Sequence, residues 1–145
     1  MLAIMVVEDD PDQRHALEDA LGDRYGVTAV ADGAEAIAAG PEHFDLLLTD
    51  LRMPGMSGVE LKVRLDREGI AVPMILMSSD VDSGRQAVTA GFFAFLAKPL
   101  SIDQLDDVIG RVAADKERRI SVVDLKLGVA REPGPANDVD KPRDR

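Results

Sequence analysis

Residues Leu46–Gly58 read LLLTDLRMPGMSG, an apolar run that ends in an aspartate and opens into a loop with proline and glycine. An apolar run without polar alternation is typical of a strand that is covered on both faces, as in a parallel sheet. The sequence contains four more short apolar runs, at Leu2–Val7, Val27–Val30, Met74–Met77 and Ala94–Ala97. The sequence therefore predicts five strands, of which Leu46–Thr49 is the third.

Amphipathic stretches separate these runs and predict five helices. The predicted helices are Pro11–Leu21, Gly33–Ala39, Gly58–Glu68, a weaker Ser83–Thr89, and Ser101 to about Arg118. Capping pairs at a three-residue spacing mark four of the starts, namely Asp10 with Gln13, Asp32 with Glu35, Ser57 with Glu60, and Ser101 with Gln104. Because strands and helices alternate and crossovers are right-handed, we expect an α/β fold with a parallel, doubly wound sheet and helices on both faces.

The composition excludes several classes of protein. The chain has 145 residues, no cysteine and a formal net charge of -10. A negative charge of this size opposes direct binding to nucleic acid and to anionic membranes. The apolar start, Leu2–Val7, is too short to span a membrane and does not fit a secretory signal. We therefore expect a cytoplasmic protein.

The C-terminal part differs in composition from the rest. We predict one domain over residues 1–118 and a C-terminal extension over residues 119–145. Ile120, Val123 and Leu127 extend the helical apolar spacing, whereas the residues after them are polar and include three prolines. This composition indicates a continued helix followed by a disordered tail. Two interpretations of the extension remain open. It is either a frayed end, or a functional segment that serves for docking or as a linker.

Three carboxylates follow the ends of two predicted strands. Glu8 and Asp9 end the first strand and Asp50 ends the third. In the five-stranded order 2-1-3-4-5 these strands are neighbours, so the three side chains would meet at one edge of the sheet. Crowded carboxylates need a cation, and oxygen ligands suit Mg²⁺. The alternative is that Glu8, Asp9 and Asp10 cap the first helix and that Asp50 merely opens a loop.

Four segments together resemble the receiver domains of bacterial two-component response regulators. They are Met5–Pro11, Leu47–Gly58, Ser78 at the end of the fourth strand, and Lys98-Pro99 after the fifth. The resemblance covers about residues 1–118 with the segments in the right order. It implies a flavodoxin-like sheet and a stand-alone receiver similar to chemotaxis regulators.

The resemblance assigns roles to five residues. Asp50 matches the phosphoacceptor. Glu8 and Asp9 match the metal-binding acids, and the Arg52 backbone carbonyl matches a further Mg²⁺ ligand beside Asp50. Lys98 matches the lysine that contacts the phosphoryl oxygens, a role that suits an ammonium on a flexible stem.

The resemblance also implies a switch pair, Ser78 and Phe95. The Ser78 hydroxyl would move toward the phosphoryl group, and Phe95 would turn into the space that it leaves. Tyrosine is commoner than phenylalanine at this position, and the missing hydroxyl suggests that the inward form is favoured at rest. Phe92 and Phe93 either form an apolar docking surface or repack a short helix.

The resemblance implies a magnesium-dependent signalling switch rather than an enzyme that turns over an external substrate. A histidine kinase or a histidine phosphotransfer protein would supply the phosphoryl group. A downstream protein would bind the face formed by helix 4, strand 5 and helix 5, and a homodimer remains open. The alternative is a phosphorylation-independent binding module. A haloacid-dehalogenase-like phosphatase would need an aspartate two residues after Asp50, where Arg52 stands.

Overall fold

The five predicted strands lie side by side in one parallel sheet. A computed structural model describes the backbone of residues 1–127 and the side chains of residues 1–119. The strands are β1 (Ala3–Val7), β2 (Gly26–Val30), β3 (Leu46–Asp50), β4 (Met74–Ser78) and β5 (Ala94–Ala97). The helices are α1 (Pro11–Leu21), α2 (Gly33–Ala38), α3 (Gly58–Arg67), α4 (Ser83–Ala90) and α5 (Ile102–Leu127), with a 3₁₀ turn at Pro41–His43.

The sheet has the order β2-β1-β3-β4-β5, and every pair of neighbours is parallel. This order confirms the prediction of a doubly wound sheet with β1 and β3 as neighbours. In the register of that pair, Val7 lies beside Thr49. The residues that follow these two positions therefore leave the sheet at the same edge, which is where parallel α/β sheets form their sites.

Alternating strand residues supply the core on one face of the sheet. The strands contribute Met5, Val7, Leu47 and Leu76, and the helices α2, α3 and α4 contribute Ala36, Leu61, Leu65 and Ala87. The two leucines of α3 are four residues apart and thus lie on one side of the helix. The core residue of α4 is only an alanine, so α4 buries much less apolar surface here than α3 does.

The other face of the sheet carries the alternate strand residues. Ile4, Val6, Leu48, Ile75 and Met77 are all buried. Buried leucines of α1 and buried apolar residues in the first turns of α5 supply the matching helix faces, namely Leu17, Leu21, Leu105, Val108 and Ile109. The inner strands are thus covered on both faces, which explains their unbroken apolar sequences.

The helix starts agree in part with the predicted capping pairs. Ser57 and Glu60 form a complete capping box at α3. At α1, Asp10 accepts a hydrogen bond from the backbone N–H of Asp12, but the Gln13 side chain does not close the box. Gln13 instead donates to the Asp10 carboxylate and accepts from Lys98. The predicted role of Gln13 was wrong because a charged ammonium lies within reach of its amide oxygen.

The chain divides into two units, Met1–Ile109 and Gly110–Arg145. The first unit contains the whole sheet and helices α1 to α4, and the second begins within α5. The α5 helix extends to Leu127, so residues 120–127 are helical. The predicted disordered tail lies outside the described residues. None of the helices described in residues 1–127 is both long and apolar enough to cross a membrane.

Candidate functional site

The three predicted carboxylates meet where β1 and β3 end. Glu8 and Asp9 directly follow β1, and Asp50 is the last residue of β3. Each of the three offers a carboxylate oxygen within 4.8 Å of the other two. The adjacent strands, rather than any local motif, create this cluster, because Asp9 and Asp50 are 41 positions apart in sequence.

Glu8 is the buried member of the cluster, with only 1% of the residue exposed. One carboxylate oxygen accepts a hydrogen bond from the backbone N–H of Asp10 at 3.1 Å, and the other accepts one from Lys98 at 2.9 Å. Burial raises the pKa of Glu8, and these two hydrogen bonds oppose that rise without cancelling it. The Glu8 carboxylate is therefore held in one orientation.

Lys98 brings a positive charge to the three acids. Its backbone N–H donates to the Ser78 carbonyl at 2.9 Å, which continues the β4–β5 pairing. Its ammonium lies 2.9 Å from Glu8, 2.6 Å from the Gln13 amide oxygen and 3.3 Å from Asp50. Burial alone would lower the pKa of Lys98, but the hydrogen bond to Glu8 and the two carboxylate charges outweigh burial and raise it. Lys98 is therefore a fixed cation.

The backbone around Asp50 fixes the direction of its carboxylate. One oxygen accepts a hydrogen bond from the N–H of Leu51 at 3.0 Å. The Leu51 carbonyl in turn accepts one from the N–H of Gly58 at 2.8 Å, so the loop folds back on the end of β3. A Cβ at Gly58 would overlap the Asp50 carbonyl oxygen. The absence of a side chain at this glycine is thus a packing requirement.

Ser78 ends β4 one residue beyond the position paired with Asp50. It is buried, and its hydroxyl accepts hydrogen bonds from the N–H of Asp80 at 3.0 Å and the hydroxyl of Ser83 at 3.1 Å. Both partners belong to the segment that leads into α4. The Ser78 hydroxyl is therefore linked to the start of α4.

Phe95 is half-buried and packs against the same core cluster as α3 and α4. Its ring also lies against the backbone of Gly84, where an added Cβ would be 3.5 Å from it. This position is compatible with the predicted inward orientation. Phe92 is buried and Phe93 is half-buried. Phe92 therefore belongs to the core rather than to an open apolar patch, whereas the role of Phe93 stays a prediction.

Arg52 lies in the loop after β3. Its exposed side chain forms an ion pair with Asp80 at 3.3 Å, across the gap between this loop and the start of α4. Exposed pairs of this kind contribute little to stability. The predicted role concerns the Arg52 backbone carbonyl, not this side chain, and it stays a prediction.

Two residues of the site were missed by sequence reasoning. Gln13 was assigned to a helix cap and instead contacts Lys98. Ser83 received no role, yet it is buried and bonded to Ser78. The only sequence signal for Ser83 is its position in the first turn of a helix, five residues after Ser78. That position suits a cap equally well.

Comparison with known proteins agrees with this geometry. Residues 4–110 match the family described as response regulator receiver domain. The chain is 32% identical over 140 residues to the DNA-binding transcriptional regulator NtrC of Escherichia coli, covering 94% of this chain and 29% of NtrC. It is 39% identical over 107 residues to the transcriptional activator protein PfeR of Pseudomonas aeruginosa, covering 71% of this chain and 35% of PfeR.

The solved structures include chemotaxis protein CheY4 of Vibrio cholerae, with a TM-score of 0.68 and 27% identity. The match covers 77% of this chain and 98% of that one. The chain spans about a third, or less, of the length of NtrC and PfeR. The DNA binding and transcriptional roles in those names are properties of the longer proteins.

Proposed function

This chain belongs to the response regulator receiver domain family, whose role is phosphoacceptor signalling in two-component systems; from that premise we propose that it is a switch phosphorylated on Asp50. The phosphoryl donor is a histidine kinase or a histidine phosphotransfer protein. Phosphorylation changes the affinity for a downstream protein. We propose residues 1–118 as the receiver domain and the cytoplasm as its location.

The observation that carries the proposal is that Asp50 lies close to both an acid pair and a fixed cation. Its carboxylate oxygen lies 3.3 Å from the ammonium of Lys98, and oxygens of Glu8 and Asp9 lie within 4.8 Å. A purely structural role does not need these four charges together. Phosphoryl transfer does, because it depends on positioning and on neutralising the phosphoryl oxygens.

The donor atoms at this edge of the sheet fit Mg²⁺. Three carboxylates and one ammonium leave a formal excess of negative charge, and carboxylate and carbonyl oxygens are the ligands that Mg²⁺ prefers. Both oxygens of Glu8 already accept hydrogen bonds. We therefore propose Asp9, Asp50 and the Arg52 carbonyl as direct ligands, with Glu8 completing the acidic set. Bound there, the ion supplies charge neutralisation and orients the phosphoryl oxygens.

The proposed reaction moves one phosphoryl group. A carboxylate oxygen of Asp50 forms an O–P bond as the N–P bond of the donor phosphohistidine breaks. The imidazole nitrogen keeps the electron pair of the broken bond and takes up a proton from solvent water. Lys98 pairs with a phosphoryl oxygen, and the hydrogen bond from Leu51 holds the carboxylate in place. The product is an acyl phosphate on Asp50, and no external substrate is turned over.

The signal then passes to the partner surface through Ser78 and Phe95. The Ser78 hydroxyl bonds a phosphoryl oxygen, and Phe95 follows into the space that is vacated. The proposed surface consists of α4, β5 and the first turns of α5. Val81 and Val88 are exposed large apolar residues on its α4 side. This surface would serve a protein partner, a second copy of the chain included, rather than nucleic acid.

The test is the intact mass of the protein after incubation with phosphoramidate and Mg²⁺. We expect a single phosphate adduct that disappears in Asp50→Asn and after chelation of Mg²⁺. Asp66→Asn is the matched control, because Asp66 is an exposed acid on α3 that pairs with Lys62. It should be labelled like the parent.

A second variant tests the cation. Lys98→Ala should slow adduct formation by about a hundredfold, the usual effect of removing one fixed group that stabilises developing charge. A folded parent that takes no adduct, under conditions that label a known receiver, would overturn the phosphoacceptor proposal. The phosphorylation-independent binding module would then be the better account.

A further inference from the structure

The Ser78 hydroxyl is already fully used as an acceptor. A serine hydroxyl has two acceptor lone pairs. The N–H of Asp80 and the hydroxyl of Ser83 fill them, at 3.0 and 3.1 Å. Ser78 is 4% exposed and Ser83 is 1% exposed, so water cannot readily replace either bond.

Breaking the bond between Ser83 and Ser78 costs free energy, because both hydroxyls are buried. A buried polar group that loses its partner keeps the full penalty of its desolvation. The two contacts differ in origin, however. The Asp80 contact uses the backbone, whereas the Ser83 contact depends on a side chain that another sequence could lack.

The same turn of α4 also touches the second member of the switch pair. Gly84, the residue after Ser83, lies against the ring of Phe95. Consecutive residues of α4 therefore contact Ser78 and Phe95. A displacement of the Ser78 hydroxyl toward Asp50 would break the bond that Ser83 donates to it.

We propose that Ser83 is a positioning residue that holds Ser78 in its resting place. A phosphoryl oxygen on Asp50 would accept the Ser78 O–H, and the movement of the hydroxyl toward it would break the bond that Ser83 donates. Ser83 therefore sets how strongly the resting position of Ser78 is favoured. This inference rests on the proposed phosphoacceptor function.

The probe is beryllium fluoride with Mg²⁺, which imitates the acyl phosphate, and the readout is its apparent affinity from amide NMR shifts. Ser83→Ala removes the competing hydroxyl and should bind the probe about threefold to tenfold more tightly than the parent, as expected for one hydrogen bond. Ser83→Cys, which keeps the position filled with a slightly larger thiol but is a poor donor, should show a similar gain. Thr89→Ala removes an exposed hydroxyl from the same helix and should not change the affinity.

A double-mutant cycle separates positioning from packing. In a Ser78→Ala background, Ser83→Ala should leave the affinity unchanged, because the bond no longer exists. Equal affinity of the parent and both Ser83 variants would overturn the inference and leave the proposed function standing. A gain that persists without the Ser78 hydroxyl would also overturn it. Absence of probe binding in the parent would overturn the proposed function, and this inference with it.

Discussion

Helices α3 and α4 follow neighbouring strands at the same edge of the sheet, yet they are attached in different ways. The α3 helix begins with a complete capping box and buries Leu61 and Leu65. At the start of α4, within the described residues, Asp82 makes no side-chain capping hydrogen bond. The residues that α4 buries are Ser83 and Ala87, which are both small.

This difference separates the two tasks that we assign to the site. The loop before α3 holds the Asp50 carboxylate, and the proposed phosphoryl transfer needs that carboxylate to keep its position. In the proposed switch, the segment before α4, which holds Ser78, moves when the signal is passed on. An element with few buried apolar contacts has a low free energy of local displacement. The proposed phosphoacceptor Asp50 thus lies next to the firmly anchored α3, and the proposed switch residue Ser78 lies next to the weakly anchored α4.

The largest loss in the free energy of unfolding is expected in a comparison of one apolar residue from α3 with one from α4. Leu61→Ala should lower the free energy of unfolding by about 3 kcal/mol, because it leaves a cavity in the core beneath α3. Val88→Ala in α4 should change it by less than about 0.5 kcal/mol, because Val88 is 81% exposed. Denaturant unfolding of both variants measures the contrast. A comparable loss in Val88→Ala would show that α4 is anchored more firmly than its contacts indicate.

The next effect concerns two glycines that differ in their surroundings. Gly58→Ala should destabilise the protein by about 2 kcal/mol, because its Cβ overlaps the Asp50 carbonyl and lies 3.0 Å from Leu76. Gly110→Ala should stabilise it by about 1 kcal/mol, because Gly110 lies within α5 and an added Cβ meets no described atom within 4 Å. Thermal unfolding of the two variants measures both changes: the midpoint temperature should fall for Gly58→Ala and rise for Gly110→Ala. Two changes of the same sign would contradict the packing argument for Gly58.

The smallest effect compares the two helix starts directly. Ser57→Ala should lower the free energy of unfolding by about 1 kcal/mol, because it removes the hydroxyl that caps the N–H of Glu60. Asp82→Ala should cost less than about 0.5 kcal/mol, because the Asp82 side chain makes no capping bond within the described part of the chain. Hydrogen exchange sharpens the result, since the α3 amides should be protected more than the α4 amides. Equal protection in the parent would remove the basis of the comparison.

The elements could be predicted closely from the sequence. The third strand was predicted to end at Thr49 and ends at Asp50, and the second was predicted to start at Val27 and starts at Gly26. The inner strands were clear because they are buried on both faces. The α4 helix was the weakest prediction for the same physical reason that it is weakly anchored. It has few large apolar residues facing the core.

The neighbourhood of Asp50 was also predictable, because parallel strands bring their carboxyl ends together. The partners of individual polar side chains were not. Gln13 contacts Lys98 and Ser83 contacts Ser78, although local spacing suggested a helix cap for the first and assigned no role to the second. Residues 13 and 98 are far apart in sequence, and no local rule predicts the distance between their side chains.

The sequence by itself thus determined the strands and the α/β class through apolar periodicity, and the family through the four motif segments. The strand order that this family has brings Glu8, Asp9 and Asp50 together. Only the tertiary structure decided which hydrogen bonds hold Lys98 and Ser78 at rest. Such bonds depend on distances of a few tenths of an ångström between side chains from different elements. These distances are set by how α1 and α4 pack on the sheet, and the packing depends on side-chain volumes across the whole core.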